Sequence, residues 1–478
     1  MNQYATTNGA RPEPAAPRKR VLVLGGGFGG MNAARRLGQT LGKRQDIEVL
    51  LISRENYLLF TPMLHEVASG ELEPADIVSP LRKMVRRVRL IQGEVTEIDL
   101  RARVVRYAVG ALRQAREIHY DYLLLALGSE THHFGMHDVE AAATTMKSLG
   151  DAALLHNRMV ATLEESAQET DELRRRRLMT FVVAGGGFAG VETAGAINDF
   201  LRHALQYYPE LDESILRVVL VHSGSVVLPE LSERLGLHAQ NRLQRRGVEL
   251  RLETRVTGYD ADTVNLSSGE PISAVSLIWT AGAVPAAVLA PLTVEKIKGR
   301  LKVNELLELC GHEGVVWAVG DCAAVPDGSG VHPPTAQHGM REAMVAARNI
   351  EAVIAGKAQK PFRFSTIGQL ASIGHRSGVA QILGMRFSGF IAWWLWRTVY
   401  LAKLPGLSKK LRVAIRWSSA LLFPRQIEQL VTLRDVERLE KLGATLRAKR
   451  VSTDSVGGAS LKGRPADDQV LPWRADAR

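Results

Sequence analysis

The sequence predicts an α/β protein built from two Rossmann-like dinucleotide-binding domains, followed by a C-terminal amphipathic helical region for membrane association. Three observations lead there. A glycine motif occurs twice in near-identical form, Gly25-Gly26-Gly27-Phe28-Gly29-Gly30 and Gly185-Gly186-Gly187-Phe188-Ala189-Gly190. Strand-like apolar runs alternate with helix-like stretches from Val21 to Asp321, the pattern of βαβ units in a doubly wound sheet. From Phe387 the composition shifts to tryptophan-rich, cation-flanked segments with helical spacing.

The first glycine motif follows Val21-Leu22-Val23-Leu24 and precedes the helix-like Met31 to Leu37. The second follows Phe181-Val182-Val183-Ala184 and precedes Val191 to Ile197. Strand, tight turn and helix, in that order, suit a bound pyrophosphate. Glycine permits positive φ and close backbone approach, and the helix N-terminus offers amide donors and partial positive charge. One such motif is weak, because glycine-rich turns also serve structural ends. Two in the same context point to two dinucleotides, commonly one flavin and one nicotinamide.

Ile47 to Ile52 reads as the second strand of the first unit, and Asp121 to Gly128 as a buried strand leading out of it. Residues 140–178 read as helical. The arginine run Arg174 to Arg177 follows Glu164, Glu165, Glu169, Asp171 and Glu172, so it predicts a solvated, self-paired helix rather than a nucleic-acid contact. The second unit runs from Phe181 to about Ala283 and closes with Val275 to Gly282. Val315 to Asp321 is another apolar strand ending in Gly-Asp. A carboxylate at that tip either accepts hydrogen bonds from flavin ribityl hydroxyls or caps a helix or turn; with two nucleotide motifs upstream, the cofactor role is favoured.

Phe387, Phe390, Ile391, Trp394 and Leu395 fall at helical spacing, with Trp393 and Trp396 alongside, until Pro405-Gly406 ends the segment. In a second segment, closed by Pro424, Leu411, Ala414, Ile415, Leu421 and Leu422 share one face, with Lys409, Arg412 and Arg416 on the other. Such helices suit a membrane interface, the cations attracting anionic lipid, or else a dimer interface or core. The domain plan is an N-terminal arm over 1–19, a flavin domain from 20–140 and 300–385, a nicotinamide domain over 141–299, membrane-association helices over 386–430 and a polar, disordered tail over 443–478.

Composition sets outer limits. With 478 residues, 46% of them hydrophobic and 23% charged, the chain is an ordinary globular protein of two or three domains. A net charge of +11 favours a partner of negative potential; without an aromatic-rich single-strand motif, an anionic membrane fits better than nucleic acid. No run is long and apolar enough to span a bilayer, and the proline-containing, basic start is no secretory signal. The two cysteines, Cys310 and Cys322, form no Cys-x-x-Cys pair. That argues for a reducing compartment, against a metal site, and against a flavoprotein with a redox dithiol.

Taken together, the chain resembles the type II NADH:quinone oxidoreductases, single-subunit flavoproteins with a glutathione-reductase-like fold. The resemblance covers about residues 20–430. It rests on both glycine motifs, Asn56-Tyr57-Leu58-Leu59-Phe60-Thr61-Pro62-Met63-Leu64, Ala126-Leu127-Gly128-Ser129, Gly320-Asp321, Pro334-Thr335-Ala336-Gln337 and the aromatic C-terminal segment. It implies FAD in the first fold, NADH or NADPH in the second, and a membrane quinone entering from the C-terminal side. It further implies a peripheral protein on the cytoplasmic face of the inner membrane, without proton pumping. A homodimer stays open.

Carried onto this sequence, the resemblance assigns the FAD pyrophosphate to Gly25, Gly26, Gly27, Phe28, Gly29 and Gly30, and the ribityl chain to Asp321. Thr61, Pro62, Ala126, Gly128, Ala336 and Gln337 would line the flavin, the last two also facing quinone. Gly185, Gly187, Gly190 and Gly282 would hold the nicotinamide nucleotide. Glu192 would lie beside nicotinamide and flavin and, with Gln337 and His338, relay protons to quinone. Two departures stand out. Ser53-Arg54 and His222-Ser223 occupy the places where an acid usually binds a ribose 2′-hydroxyl, so the barrier to NADPH is missing at His222. Three other classes remain open: a soluble NAD(P)H oxidase or ferredoxin-reductase-like enzyme, a sulfide:quinone reductase, which would require catalytic cysteines, and a non-catalytic redox sensor.

Overall fold

The strand Lys19–Leu24 is central to a five-stranded parallel sheet whose order is Val316–Ala318, Tyr122–Leu125, Lys19–Leu24, Ile47–Ser53 and Arg89–Gln92. The structure, a computed structural model, describes residues 18–328, 330–420 and 427–429. Apart from Arg18 and Lys19, the expected arm lies outside the described residues, as do the expected tail and Leu421, Leu422 and Pro424. Val21 to Leu24, Leu50 to Ile52 and Leu123 to Leu125 are fully buried, as parallel strands covered on both faces require. The strand Val316–Ala318 returns to this sheet after the whole second unit, which is why the first domain is split in sequence.

The second unit repeats the arrangement. Thr144–Thr145, Ser276–Trp279, Thr180–Ala184, Arg217–Val221 and Val248–Arg251 form another five-stranded parallel sheet. The region expected to be helical before it holds helices His137–Ala142, Leu149–Gln168 and Glu172–Leu178, but residues 143–148 depart from that expectation and supply the edge strand Thr144–Thr145. Arg174 pairs with Glu165 and Glu169, and Arg176 with Glu172, so the arginine run is self-paired as expected.

The C-terminal region differs from expectation in three ways. First, Gly368–Ser372, Gly378–Ile382 and Met385–Ser388 form an antiparallel meander, so Phe387 is a strand residue and the helix begins at Gly389. Second, Leu370, Ala371, Val379 and Ala380 of the meander share a hydrophobic core with Phe181, Val191 and Trp396 rather than with the first sheet. Residues 368–385 therefore pack with the second unit and the C-terminal helices.

Third, the two terminal helices, Gly389–Lys403 and Leu407–Ser419, leave the expected apolar face exposed but engage their cations with the protein instead of leaving them free for lipid. Trp393, Trp396, Val413 and Trp417 are buried, while Phe390, Ile391, Trp394, Leu407, Leu411 and Ile415 lie exposed. The cations expected to meet lipid pair with acids of the protein, although Arg412 itself stays exposed. Arg412 and Arg416 pair with the fully buried Asp76 at 3.3 and 2.8 Å, and Arg416 also with Glu73. Arg397 reaches Glu71 at 3.1 Å and lies over the rings of Trp393 and Trp417, and Lys409 donates to Ser79 Oγ and Val78 O. The cationic face is the docking face because segment 66–79 presents buried acids that need partners.

Reversing both Arg412 and Arg416 to Glu would therefore leave Asp76 buried against like charge and release the last helix. A loss of about 3 kcal/mol is expected. Thermal melting and limited proteolysis near residue 405 read it; unchanged stability would show that the ion pairs do not hold the helix.

Candidate functional site

Each glycine turn is a close backbone crossing that side chains would block. Gly25 has φ of 100°, and a Cβ there would lie 2.2 Å from Ala126 O; one on Gly30 would lie 1.8 Å from Gly25 O. A Cβ on Gly27 meets nothing within 4 Å, so space for a phosphate opens at the N-terminus of helix Phe28–Thr40. The second turn matches it in its close crossings, while a Cβ on Gly187 would meet Glu230 Oε1 at 3.5 Å. Gly185 has φ of 115°, and a Cβ on Gly190 would lie 1.7 Å from Gly185 O at the start of helix Phe188–Ala204. Both cradles fit a dinucleotide pyrophosphate.

The two helix N-termini converge on one cavity of about 610 Å³. Gly27, Phe28 and Gly29 line it from the first unit, and Phe188, Ala189, Glu192 and Thr193 from the second. Thr61, Pro62, Ala126, Gly128, Asp321, Ala336 and Gln337 all face it, as the sequence predicts, together with Tyr400 and Lys403 of the helix Gly389–Lys403. Asp321 accepts a hydrogen bond from Ser129 Oγ at 2.8 Å, and Lys147 Nζ donates to that hydroxyl at 3.0 Å. Behind it, Glu342 accepts from Gly320 N–H at 2.7 Å, and burial lifts its carboxyl to about 7.

Glu192 is held from three sides. Its Oε1 accepts from Ser372 N–H at 3.0 Å and from Trp396 Nε1–H at 3.1 Å. Its Oε2 lies 3.6 Å from His65 Nδ1. Burial pushes the Glu192 carboxyl up to about 8, against those two donors, which oppose the rise. Burial pulls His65 down to about 4, so at neutral pH a protonated carboxyl faces a neutral imidazole.

Not every expected residue arrives. His338 is a correction: its Nδ1 contacts Thr335 Oγ1 at 2.7 Å, and its ring packs on His332 and Phe364, away from the cavity. Helix Ala336–Ile354 turns Ala336, Gln337, Gly339 and Met340 to the cavity and leaves His338 among the rings behind it. Ser53 lies beneath Gly26, where a Cβ would come within 2.3 Å of its Oγ, and Arg54 pairs with Glu55 in solvent; neither lines the cavity. His222 also packs under its glycine turn, with Nδ1 accepting from Gly186 N–H at 3.1 Å. Gly282, at φ of 70°, turns against His132 O and the Phe134 ring, outside the cavity lining. Neither cysteine lines the cavity, and Cys322 is a buried thiol raised to about 11. His65, Ser372, Trp396, Tyr400, Lys403, Lys147 and Glu342 were not singled out as site residues from sequence.

Comparison with known proteins agrees with this architecture. Residues 19–348 match the family described as pyridine nucleotide-disulphide oxidoreductase, and residues 367–426 match the NDH2 C-terminal domain. The type II NADH:quinone oxidoreductase Ndh of Mycobacterium tuberculosis is 34% identical over 471 residues, 94% of this chain and 99% of the relative. A probable NADH dehydrogenase of Dictyostelium discoideum is 29% identical, covering 86% and 91%. Among solved structures, NDH2 of Plasmodium falciparum in complex with NADH superposes with a TM-score of 0.79 at 19% identity, over 86% of this chain and 100% of that one. The sulfide:quinone oxidoreductase of Aquifex aeolicus shares the fold more distantly, with a TM-score of 0.63 at 20% identity, over 80% and 90%.

The second glycine cradle is tested by Gly190→Ala, whose methyl has no room. Bound flavin should be retained, since its cradle is untouched, while the rate of flavin reduction by the nicotinamide nucleotide falls at least about tenfold. Stopped-flow absorbance measures this; wild-type reduction would remove Gly190 from the nucleotide contact.

Proposed function

The chain belongs to the type II NADH:quinone oxidoreductases, and on that premise we propose which residues carry the reaction and how the protein meets its membrane. The protein oxidises NADH and reduces quinone without pumping protons. When bound, FAD supplies the two-electron carrier that links the two half-reactions. The observation that carries the residue assignment is the convergence of both glycine helices and Glu192 on one cavity.

In this reading the first glycine turn holds the FAD pyrophosphate and Asp321, fixed by Ser129, accepts from the ribityl hydroxyls. The second turn holds NADH. Hydride transfer needs stacking at near-attack distance rather than an acid or base, and Phe28, Phe188 and Pro62 supply apolar walls for it. Quinone reduction does need an acid. Glu192 is that acid, because Ser372 and Trp396 fix one oxygen and leave Oε2 to carry the proton. Gln337, whose amide is spent on Gly368 O and Ile367 N–H, shapes the quinone wall rather than moving protons. The lost ribose acid at His222 weakens discrimination against NADPH.

The exposed row of Phe390, Ile391, Trp394, Leu407, Leu411 and Ile415 lies in one leaflet of the membrane, on the cytoplasmic face. No helix among the described residues is long and apolar enough to cross. With Arg397 and Arg416 spent on acids of the protein, this surface binds mainly by apolar burial, and anionic lipid adds attraction through Arg412 and the net charge of +11.

Two experiments test these assignments. Glu192→Gln keeps the Oε1 acceptor but loses the proton. Flavin reduction by NADH should change less than about threefold, while reoxidation by quinone slows by about a hundredfold. In the wild type, quinone reduction should fall as pH rises through about 8, since the protonated form is the donor. Equal slowing of both half-reactions would sink the assignment. For the membrane, the triple change Trp394→Glu, Leu411→Glu and Ile415→Glu should abolish flotation with anionic vesicles, whereas high salt weakens wild-type binding only slightly. Unchanged flotation with a lower oligomeric mass would assign this face to a second copy of the chain.

A further inference from the structure

Oxidation of one NADH by one quinone consumes one proton from water, and Glu192, once it has given its proton up, must be recharged inside a buried site. We infer that His65 recharges it, through a chain of polar groups leading to solvent on the side away from the quinone cavity. This inference rests on Glu192 being the proton donor.

His65 lines the main cavity and also a small one of about 10 Å³, room for about one water. Ser372, whose N–H holds Glu192, lines the small cavity too. That cavity shares Glu71, Asp199, His375, Trp393 and Arg397 with a pocket of about 420 Å³. Among the described residues this pocket opens past the exposed His375. The three spaces thus adjoin in series, and the residue that lines both the reaction cavity and the small one is His65.

The charges along the path are arranged for relay as well as for stability. His65 is faced by Glu192 and by the Glu71–Arg397 pair, with Glu66 beside it and bonded to Trp417 Nε1–H at 3.1 Å. Further out, Asp199 pairs with Arg246 and accepts from His375 N–H. Ion pairing alone accounts for Arg397 and Arg246; it does not account for an imidazole placed 3.6 Å from Glu192 Oε2 at the mouth of a water-sized cavity.

The transfer balances. The Glu192 O–H bond breaks as the quinone O–H bond forms. His65 Nδ1–H then passes its proton to Glu192 Oε2, while Nε2 takes one from water in the small cavity, which is reprotonated in turn from solvent through the outer pocket. The imidazole stays neutral throughout, no electrons move, and turning the ring over restores the first tautomer.

The test uses FAD-loaded full-length enzyme cycling anaerobically under excess NADH and a short-chain benzoquinone, in water and in D₂O, so that every reoxidation after the first draws on a recharged Glu192. His65→Phe keeps the ring against Trp396 but not the nitrogens. Reoxidation should slow by about tenfold, with the solvent isotope effect rising from near one to above about two, and flavin reduction by NADH changing less than about twofold. Glu71→Gln, further along the path, should shift rate and isotope effect in the same direction by less, and reads the route if His65→Phe fails to retain FAD. Reoxidation at the wild-type rate in both variants, beside a slow Glu192→Gln, would overturn the route and leave Glu192 recharged from the quinone side. Slowing without any rise in isotope effect would reduce His65 to packing and overturn it equally. Wild-type reoxidation in Glu192→Gln would instead remove the donor itself.

Discussion

The arrangement depends on one buried carboxyl. Glu192 sits in the first turns of the second glycine helix, where a carboxyl facing a helix N-terminus in water would simply be ionised. Here burial wins. Two donors, Ser372 N–H and Trp396 Nε1–H, offset part of the cost of removing it from water, yet the group still holds its proton to about 8. Those donors come from the meander and from the first terminal helix, elements absent from a bare pair of nucleotide folds. The C-terminal region therefore completes the reaction cavity, and it also supplies Tyr400 and Lys403 to its wall.

That requirement explains why the terminal helices pair their cations with acids of the protein. To hold Trp396 over Glu192, the helix Gly389–Lys403 must be anchored to the body of the protein, and the anchor is electrostatic. Glu66, Glu71, Glu73 and Asp76 lie on a segment next to Thr61 and Pro62, and Arg397, Arg412 and Arg416 answer them. Apolar side chains are then left for the outer surface. The exposed apolar side proposed for the bilayer and the side that docks on the protein are therefore opposite sides of the same two helices.

What could be read from sequence follows the range of the interactions. Both glycine cradles, Asp321 and the sheet strands were legible because turn chemistry and buried parallel strands leave local signatures. Glu192 was legible through resemblance alone; its protonation depends on Trp396 and Ser372, far away in the chain. Helical spacing revealed that residues 407–419 are amphipathic but not which face looks inward, since that is decided by acids at 66–76. His338 was misread because nothing local shows which residues opening helix Ala336–Ile354 face the cavity; Ala336, Gln337, Gly339 and Met340 do, while His338 packs on His332 and Phe364. His65 follows directly on the Thr61-Pro62-Met63-Leu64 stretch, yet nothing local distinguishes it from a buried histidine; its meaning comes from the carboxyl 3.6 Å away.

The two departures at the ribose positions show the same logic on a smaller scale. Ser53 ends, and His222 directly follows, the strand after its glycine turn, and both lie under the second glycine of the motif, where a Cβ on Gly26 or Gly186 would collide with them. His222 takes the Gly186 N–H on Nδ1, which fixes the ring and leaves Nε2–H as its remaining donor. Burial holds that imidazole below its ordinary range, so it stays neutral. A neutral ring in this place neither accepts strongly from a ribose hydroxyl nor repels a phosphate. Its contribution is to brace the turn, and the selection between nicotinamide nucleotides falls to groups beyond the strand tip.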